Sequence, residues 1–376
     1  MPLAGENNPS PIFPPGTGTD PQPTVEKSKT FSHFTPQVCK FVLPLRLDKN
    51  TSIGIAMKVS VIIPNYCHAR FLNRRIDSVL NQTYGDFEVI ILDDCSSDNS
   101  RDIIETYRHH PRVSHIVYNE KNSGSTFIQW DKGFELAQGE YIWIAESDDE
   151  AAPTFLEECV GQLEKHPSAT IAFSDCLFVD ENTRDLCEPK LQLSFRLSDK
   201  NRDTPYTLFN GRAFINHRMF YQNYIMNASM VVFRKEARPR DFAYKRYRYV
   251  GDWLFWVGIL LQGDAVYIDK PLDYFRQHGK NTTSKSIATG NNYKEMAHLM
   301  QDICRQVNPP RGFIHFLYGR FFVRIKRLHK GVEYTPKVIR EIYAYWAQIE
   351  NPVKAIVWYR IAKILHIYRD EKPYLP

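Results

Sequence analysis

The chain has 376 residues, with 48 Lys and Arg against 43 Asp and Glu, a net charge of +5. Hydrophobic residues make up 43% and aromatics 13%, enough apolar material for a large core, which excludes global disorder and allows one large domain or two ordinary ones. Residues 311–376 hold 13 basic and 5 acidic side chains, so a basic, aromatic tail follows a slightly acidic body and points to an anionic partner, nucleic acid or a membrane surface.

Residues 1–56 hold 9 of the 23 prolines and read as a disordered extension. Met57 stands directly before the first strong strand, so the structural start, and with it a translational start, is expected there. Nothing resembling a basic segment followed by an apolar run opens the chain, so no signal peptide is expected. The longest clean apolar run, residues 253–261, is too short to span a bilayer. The seven cysteines include no C-x-x-C pair, which argues against a Cys-rich zinc site and fits a reducing compartment. The expectation is a protein of the cytoplasmic side, free or peripheral on the membrane.

From Lys58 the pattern turns regular. A β-branched strand over 59–63 stops at Pro64, and apolar helical spacing covers 71–80. A strand at 87–92 precedes a short helix at 100–107, with Asp98 or Asn99 as N-cap. A strand at 113–118, a helix at 126–137 and a strand at 141–145 follow. Pro153 opens the next helix, and 169–173 is a fifth strand. Alternating strands and helices predict an α/β fold, a Rossmann-like, mostly parallel sheet with helices on both faces. Right-handed crossovers put the strand carboxyl ends on one edge, where ligands bind. Beyond residue 180 the pattern loosens: a strand over 225–233, a helix over 251–261 and a short strand over 265–268. Helices at 293–307, 312–328, 336–348 and 352–367 complete a C-terminal helical region.

Each strand end is polar: Pro64-Asn65-Tyr66, then Asp93-Asp94-Cys95-Ser96, then Asn122-Ser123-Gly124, then Glu146-Ser147-Asp148-Asp149-Glu150. Four carboxylates in the last five residues repel one another. A divalent cation bridging phosphates offsets this, because such ions take few protein carboxylates plus substrate oxygens. The same acids also suit the N-terminus of the following helix. Asp93 and Asp94 read equally as turn formers or as acceptors for a base N–H or ribose hydroxyl.

These pieces in order resemble the family 2 glycosyltransferases with the GT-A fold. The resemblance is carried by residues 59–66, Ser78-Val79-Leu80-Asn81-Gln82-Thr83-Tyr84, residues 93–98, Asn122-Ser123-Gly124, residues 137–142 and Ser147-Asp148-Asp149. More weakly it extends to Gly251-Asp252-Trp253 and residues 274–278, covering about 59–280. It implies a nucleotide-diphosphate sugar donor, a divalent metal (Mn²⁺ or Mg²⁺) and inverting transfer of one sugar. Pro64 and Tyr66 would line the base pocket, Asp94 would accept the base N–H with Asp93 in support, and Asn122 and Gly124 would pass close to the nucleotide. Glu146 and Asp148 hold the two acidic places of the Asp-x-Asp motif. Asp148 would ligate metal with Asp149 beside it, and His278 would be a metal or diphosphate ligand. Cys95 stands where the family usually has Gly, and Trp130-Asp131 replaces its usual Arg-Asn, which leaves Arg276 or Lys280 for the diphosphate.

Inverting transfer needs one base for the acceptor hydroxyl and a stabilised leaving group. Asp252 is the candidate base, with N-terminal helix capping as its other reading. Trp253 and Trp256 would stack on sugar or belong to the core. The predicted organisation is thus an extension over 1–56, a GT-A catalytic domain over 57–285 and a basic, aromatic helical region over 286–376. The expected acceptor is a saccharide or lipid-linked molecule, in cell-envelope polysaccharide or glycan biosynthesis, with peripheral membrane contact through the tail and no nucleic acid. A nicotinamide dehydrogenase is excluded, because no G-x-G-x-x-G follows the first strand. A processive synthase is disfavoured by the missing Gln-x-x-Arg-Trp motif. A non-catalytic, sugar-nucleotide-binding scaffold at the membrane remains the rival from another class.

Overall fold

The structure of the chain, a computed structural model, describes residues 58–186, 204–241, 243–278, 289–328 and 334–368. The extension expected over 1–56 and Lys280 lie outside them.

Among the described residues nine strands form one sheet: β1 (Val59–Asn65), β2 (Phe87–Asp93), β3 (Val113–Tyr118), β4 (Tyr141–Ile144), β5 (Glu150–Ala151), β6 (Ala169–Val179), β7 (Tyr206–Phe209), β8 (Val231–Arg234) and β9 (Asp264–Arg276). Their order is β3-β2-β1-β4-β8-β6-β9-β5, with β7 paired to β9. β1, β2, β3 and β4 pair in parallel, and β8 runs against both β4 and β6. β6 therefore points the same way as β4, and β9 lies parallel to β6. The short strands β5 and β7 run against β9. The carboxyl ends of all five sequence-predicted strands thus share one edge.

Pairing of β1 with β4 ends at Ile62 with Ile144, while pairing with β2 continues to Asn65 with Asp93. Pro64 thus stays within the strand, since no β4 residue faces the position where its N–H is missing. Alternate β1 residues enter opposite cores, Val61 and Ile63 on one face and Ile62 on the other. The first face is covered by α1 (Ala69–Leu80), α2 (Ser100–Thr106) and α4 (Phe155–Lys165). The second is covered by α3 (Thr126–Leu136) and α5 (Gly251–Leu260). It also includes α6 (Asn291–Val307), α7 (Arg311–Arg327), α8 (Pro336–Ile349) and α9 (Pro352–Ile364), whose Phe316, Phe321 and Trp346 are fully buried.

Several elements differ from expectation: β6 runs on from the expected 169–173 to Val179, and β5 and β7 were not expected. The strand expected from 225 begins at Val231, because Asn227 caps a 3₁₀ turn at Ala228–Met230 by accepting from the Met230 N–H at 3.0 Å. The strand expected to end at 268 runs to Arg276, with its register against β6 shifting around Ser174 and Asp175. The helix expected from Pro153 starts at Phe155, after Thr154.

Candidate functional site at the carboxyl edge of the sheet

The edge is assembled by hydrogen bonds between successive strand ends. Asn65 donates to Asp93 at 2.9 Å and to Ser96 at 3.1 Å. Asp93 is fully buried and also accepts from the Ser96 N–H and from Arg101. It ties β1 to the turn after β2. Cys95 has φ +61°, so the left-handed turn that favours glycine survives with a cysteine in it. Asp94 accepts from Asn119 at 2.6 Å, from the Ser123 N–H and hydroxyl at 2.8 and 2.7 Å, and from Gln129 at 2.9 Å. Asn122 in turn donates to the Asp94 carbonyl and accepts from the Gly124 N–H. Gly124 has φ +75°, which is what demands glycine there, since a side chain would meet open space. Pro64 is buried and Tyr66 is 49% exposed, so the ring of Tyr66 is available at the mouth.

The acidic run after β4 divides into two layers. In the upper layer Asp148 lies 3.0 Å from His278 Nε2 and 4.0 Å from His68 Nδ1. One ligand atom from each of His68, Asp148 and His278 falls within 4.8 Å of the others. Burial alone would raise the Asp148 pKa, but His68 and His278 outweigh it and bring the carboxyl down to about 2. One carboxylate with two imidazoles fits a divalent ion, Mn²⁺ better than Mg²⁺, which prefers oxygen. His68 was missed in the sequence, although it directly follows β1 at the same edge. Glu146 stands beside this group and accepts from the Trp130 indole at 3.0 Å. Burial, and then the Asp148 charge, push it up to about 7. Trp130, noted only as a departure, is what orients this acid.

The lower layer is structural. Asp149 accepts from the Arg276 N–H at 2.9 Å, from Ser229 at 2.7 Å and from Asn227 at 3.2 Å. It is not one of the three residues whose ligand atoms converge. Arg276, suggested for a diphosphate, is buried: its guanidinium donates to the Asp148 carbonyl at 2.8 Å, the Asp180 carbonyl at 2.7 Å, Thr183 and Glu150. Its donors are spent on holding the loop. Arg75, unforeseen, is fully buried, donates to the Glu146 carbonyl at 2.8 Å and to Ser229 at 3.1 Å, and lies 3.9 Å from Asp149. Asp273 joins this layer through Asn227 at 2.9 Å, and burial pushes it up to about 7.

Asp252 opens α5 and accepts from Asn223 at 2.9 Å. Burial raises it to about 7, more than these hydrogen bonds lower it. Trp253 and Trp256 are both buried, so they are core rather than a stacking platform. The segment 223–229 links Asp252, through Asn223, to Asp149 and Asp273, through Asn227 and Ser229.

The parallel strands β1–β4 thus carry an Asp-centred histidine pair at their carboxyl edge, the usual place for a ligand on an open α/β sheet. Residues 60–237, a little under half of the chain, match the family described as Glycosyl transferase family 2, and the fold is of the GT-A kind. TuaG of Bacillus subtilis (strain 168), which bears the name of a teichuronic acid biosynthesis glycosyltransferase, is 40% identical over 31% of this chain and 44% of its own. The chain thus spans under half the length of that relative. The poly(ribitol-phosphate) beta-N-acetylglucosaminyltransferase TarP of Staphylococcus aureus (strain N315) is 27% identical over 63% of this chain and 68% of its own. The crystal structure of S. aureus TarS 1-349 in complex with UDP-GlcNAc superposes with a TM-score of 0.59 at 18% identity, covering 83% of this chain and 92% of that one. That likeness speaks to the fold.

Proposed function

We propose that the chain transfers one sugar from a nucleotide-diphosphate sugar, of the UDP class, to a saccharide or lipid-linked acceptor with inversion, in the assembly of a cell-envelope polymer. The observation that carries the reading is Asp148 set between His68 and His278 at the carboxyl edge of the parallel strands. The names of TarP and TuaG support the polymer context, and the TarS complex supports a UDP-sugar donor. The catalytic part is taken as 57–285, with 286–376 as its helical support, and the donor places the reaction on the cytoplasmic side.

Pro64, Tyr66 and Asp94 receive the base, and the Asn122–Gly124 turn closes over the nucleotide. Asp148, His278 and His68 would hold the divalent ion, with Asp149 fixing their loop from below and Arg276 clamping it. When bound, the ion neutralises charge that develops on the leaving diphosphate. Glu146, oriented by Trp130, faces the ribose. Asp252 takes the proton of the acceptor hydroxyl as its oxygen bonds to the anomeric carbon. The bond to the diphosphate breaks in the same displacement, and the nucleoside diphosphate leaves.

The test is a release assay across nucleotide sugars with Mn²⁺ and with Mg²⁺. Metal-dependent release is expected from the wild type and none from Asp148→Ala, while Asp252→Asn should lose transfer to an acceptor. A wild type that binds the donor but never turns it over would be a binding protein. Full transfer by Asp252→Asn would remove that residue from the chemistry.

A further inference from the structure

The last helix has two apolar faces. One packs inward: Ala355, Tyr359 and Ala362 are buried against α7. The other has no cover among the described residues. Val353 is 69% exposed, Val357 49%, Ile361 41% and Ile364 74%. With 3.6 residues per turn these four fall on one arc, opposite the buried trio. Leu365 and Ile367 continue the exposed apolar surface past the helix end. An uncovered run of this kind on a folded chain marks an interaction surface rather than scattered exposure.

The charges around the stripe say what it meets. Lys354 and Arg360 flank it on either side and are exposed. Lys363 follows, and the helix sequence contains no Asp or Glu at all. Beside the stripe lies a groove of about 550 Å³ lined by His315, Val353, Val357, Trp358 and Ile361. A second copy of the chain docking face to face would set these basic flanks against each other, a like-charge contact. An anionic lipid surface instead meets the basic flanks with headgroups and the stripe with acyl chains.

We propose that the outward face of α9 seats the protein on an anionic lipid bilayer, the helix lying in the interface plane. Among the described residues no helix is long and apolar enough to cross a membrane, so this contact is peripheral. The proposal names the surface for the membrane contact, and it stands independently of glycosyl transfer because it uses none of the site residues.

The test is co-sedimentation of the full chain with vesicles of phosphatidylcholine alone, or of phosphatidylcholine with phosphatidylglycerol. Wild type should partition onto the anionic vesicles at least about tenfold more strongly than onto the neutral ones, as expected for a few basic groups near a charged surface. Ile361→Asp/Ile364→Asp and Lys354→Glu/Arg360→Glu should each weaken that partition by about tenfold or more. All four positions are exposed, so melting temperature and donor turnover in solution should match wild type. Vesicle binding that both variants retain, or a wild type that binds neither vesicle, would overturn the proposal. So would light scattering showing a stable wild-type oligomer that Ile361→Asp/Ile364→Asp dissociates, which would give the face to a contact between copies.

Discussion

Two carboxylates at the site are driven in opposite directions, one by its neighbours and the other by its burial. Burial would raise Asp148, but His68 and His278 outweigh it and hold the carboxyl at about 2. Replacing it with Ala should cut Mn²⁺ affinity and donor turnover by at least about a hundredfold, and His68→Ala by about ten- to a hundredfold, measured by Mn²⁺ titration and nucleotide release. Asp252 is pushed up to about 7 by burial. A base must be unprotonated to act, so kcat/KM should fall about tenfold for each pH unit below that value and level off above it. A profile flat from pH 5 to 8 would detach Asp252 from proton transfer. Asp93, Asp94, Glu146 and Asp148 were legible because they directly follow strands. Arg75 was not, though it stands on the apolar stripe of α1 between Leu72 and Val79. A charged residue at a buried helix position signals a buried partner, but only the fold says that the partners are Ser229, the Glu146 carbonyl and Asp149. Replacing Arg75 with Met would leave Asp149 and Asp273 uncompensated. The expected loss is about 3–5 kcal/mol in denaturant unfolding.

At the level of elements, the first half of the chain was readable because its strands are short runs rich in β-branched and aromatic residues between polar turns. β6 and β9 were underestimated for the opposite reason. Asp175 in β6 and the 269–271 stretch in β9 interrupt the apolar run, yet both strands continue through register shifts that satisfy the backbone. β5 and β7 are too short to carry a pattern and exist only because β9 offers them an edge. The packing of α3 and its following turn on β1 leaves little tolerance. A Cβ on Gly139 would come within 2.5 Å of the Ser60 nitrogen and 2.7 Å of the Val59 carbonyl carbon. Both are backbone atoms of a strand hydrogen-bonded on two sides, so neither can give way. Gly139→Ala should therefore cost about 1–3 kcal/mol by thermal or denaturant melting, as overpacking does. Glycine at 161, where a Cβ meets nothing within 4 Å, serves as the tolerant control.

For the molecule as a whole, the basic, aromatic tail shares the core of the catalytic sheet. Phe313 of α7 packs on Phe220 and Tyr221 at ring distances of 5.1 and 6.3 Å, and Arg320 donates to the Tyr221 carbonyl. Trp346 of α8 donates to the Tyr293 carbonyl of α6 at 2.8 Å. α6 in turn grips the turn that leads into α5. Glu295 accepts from the N–H groups of Arg248 and Tyr249, and Asp302 accepts from Arg246 and Tyr247. Asp252 is the third residue after Tyr249, at most about 11 Å away between Cα atoms. The helices thus fix the entry to the helix that Asp252 opens, and under the proposed reading they set the position of the base, a role composition alone had no means to show. Deleting 311–376 would uncover Phe220 and Tyr221 and should abolish cooperative unfolding, so it is no clean test of the tail. Glu295→Ala is one. It removes two hydrogen bonds from the turn while leaving the Asp148 group untouched. Mn²⁺ affinity and slow donor hydrolysis should stay near wild type, while transfer to an acceptor drops by about ten- to a hundredfold, the scale of a misplaced catalytic group. Equal losses in hydrolysis and transfer would show that α6 supports the whole site and not the placement of the base.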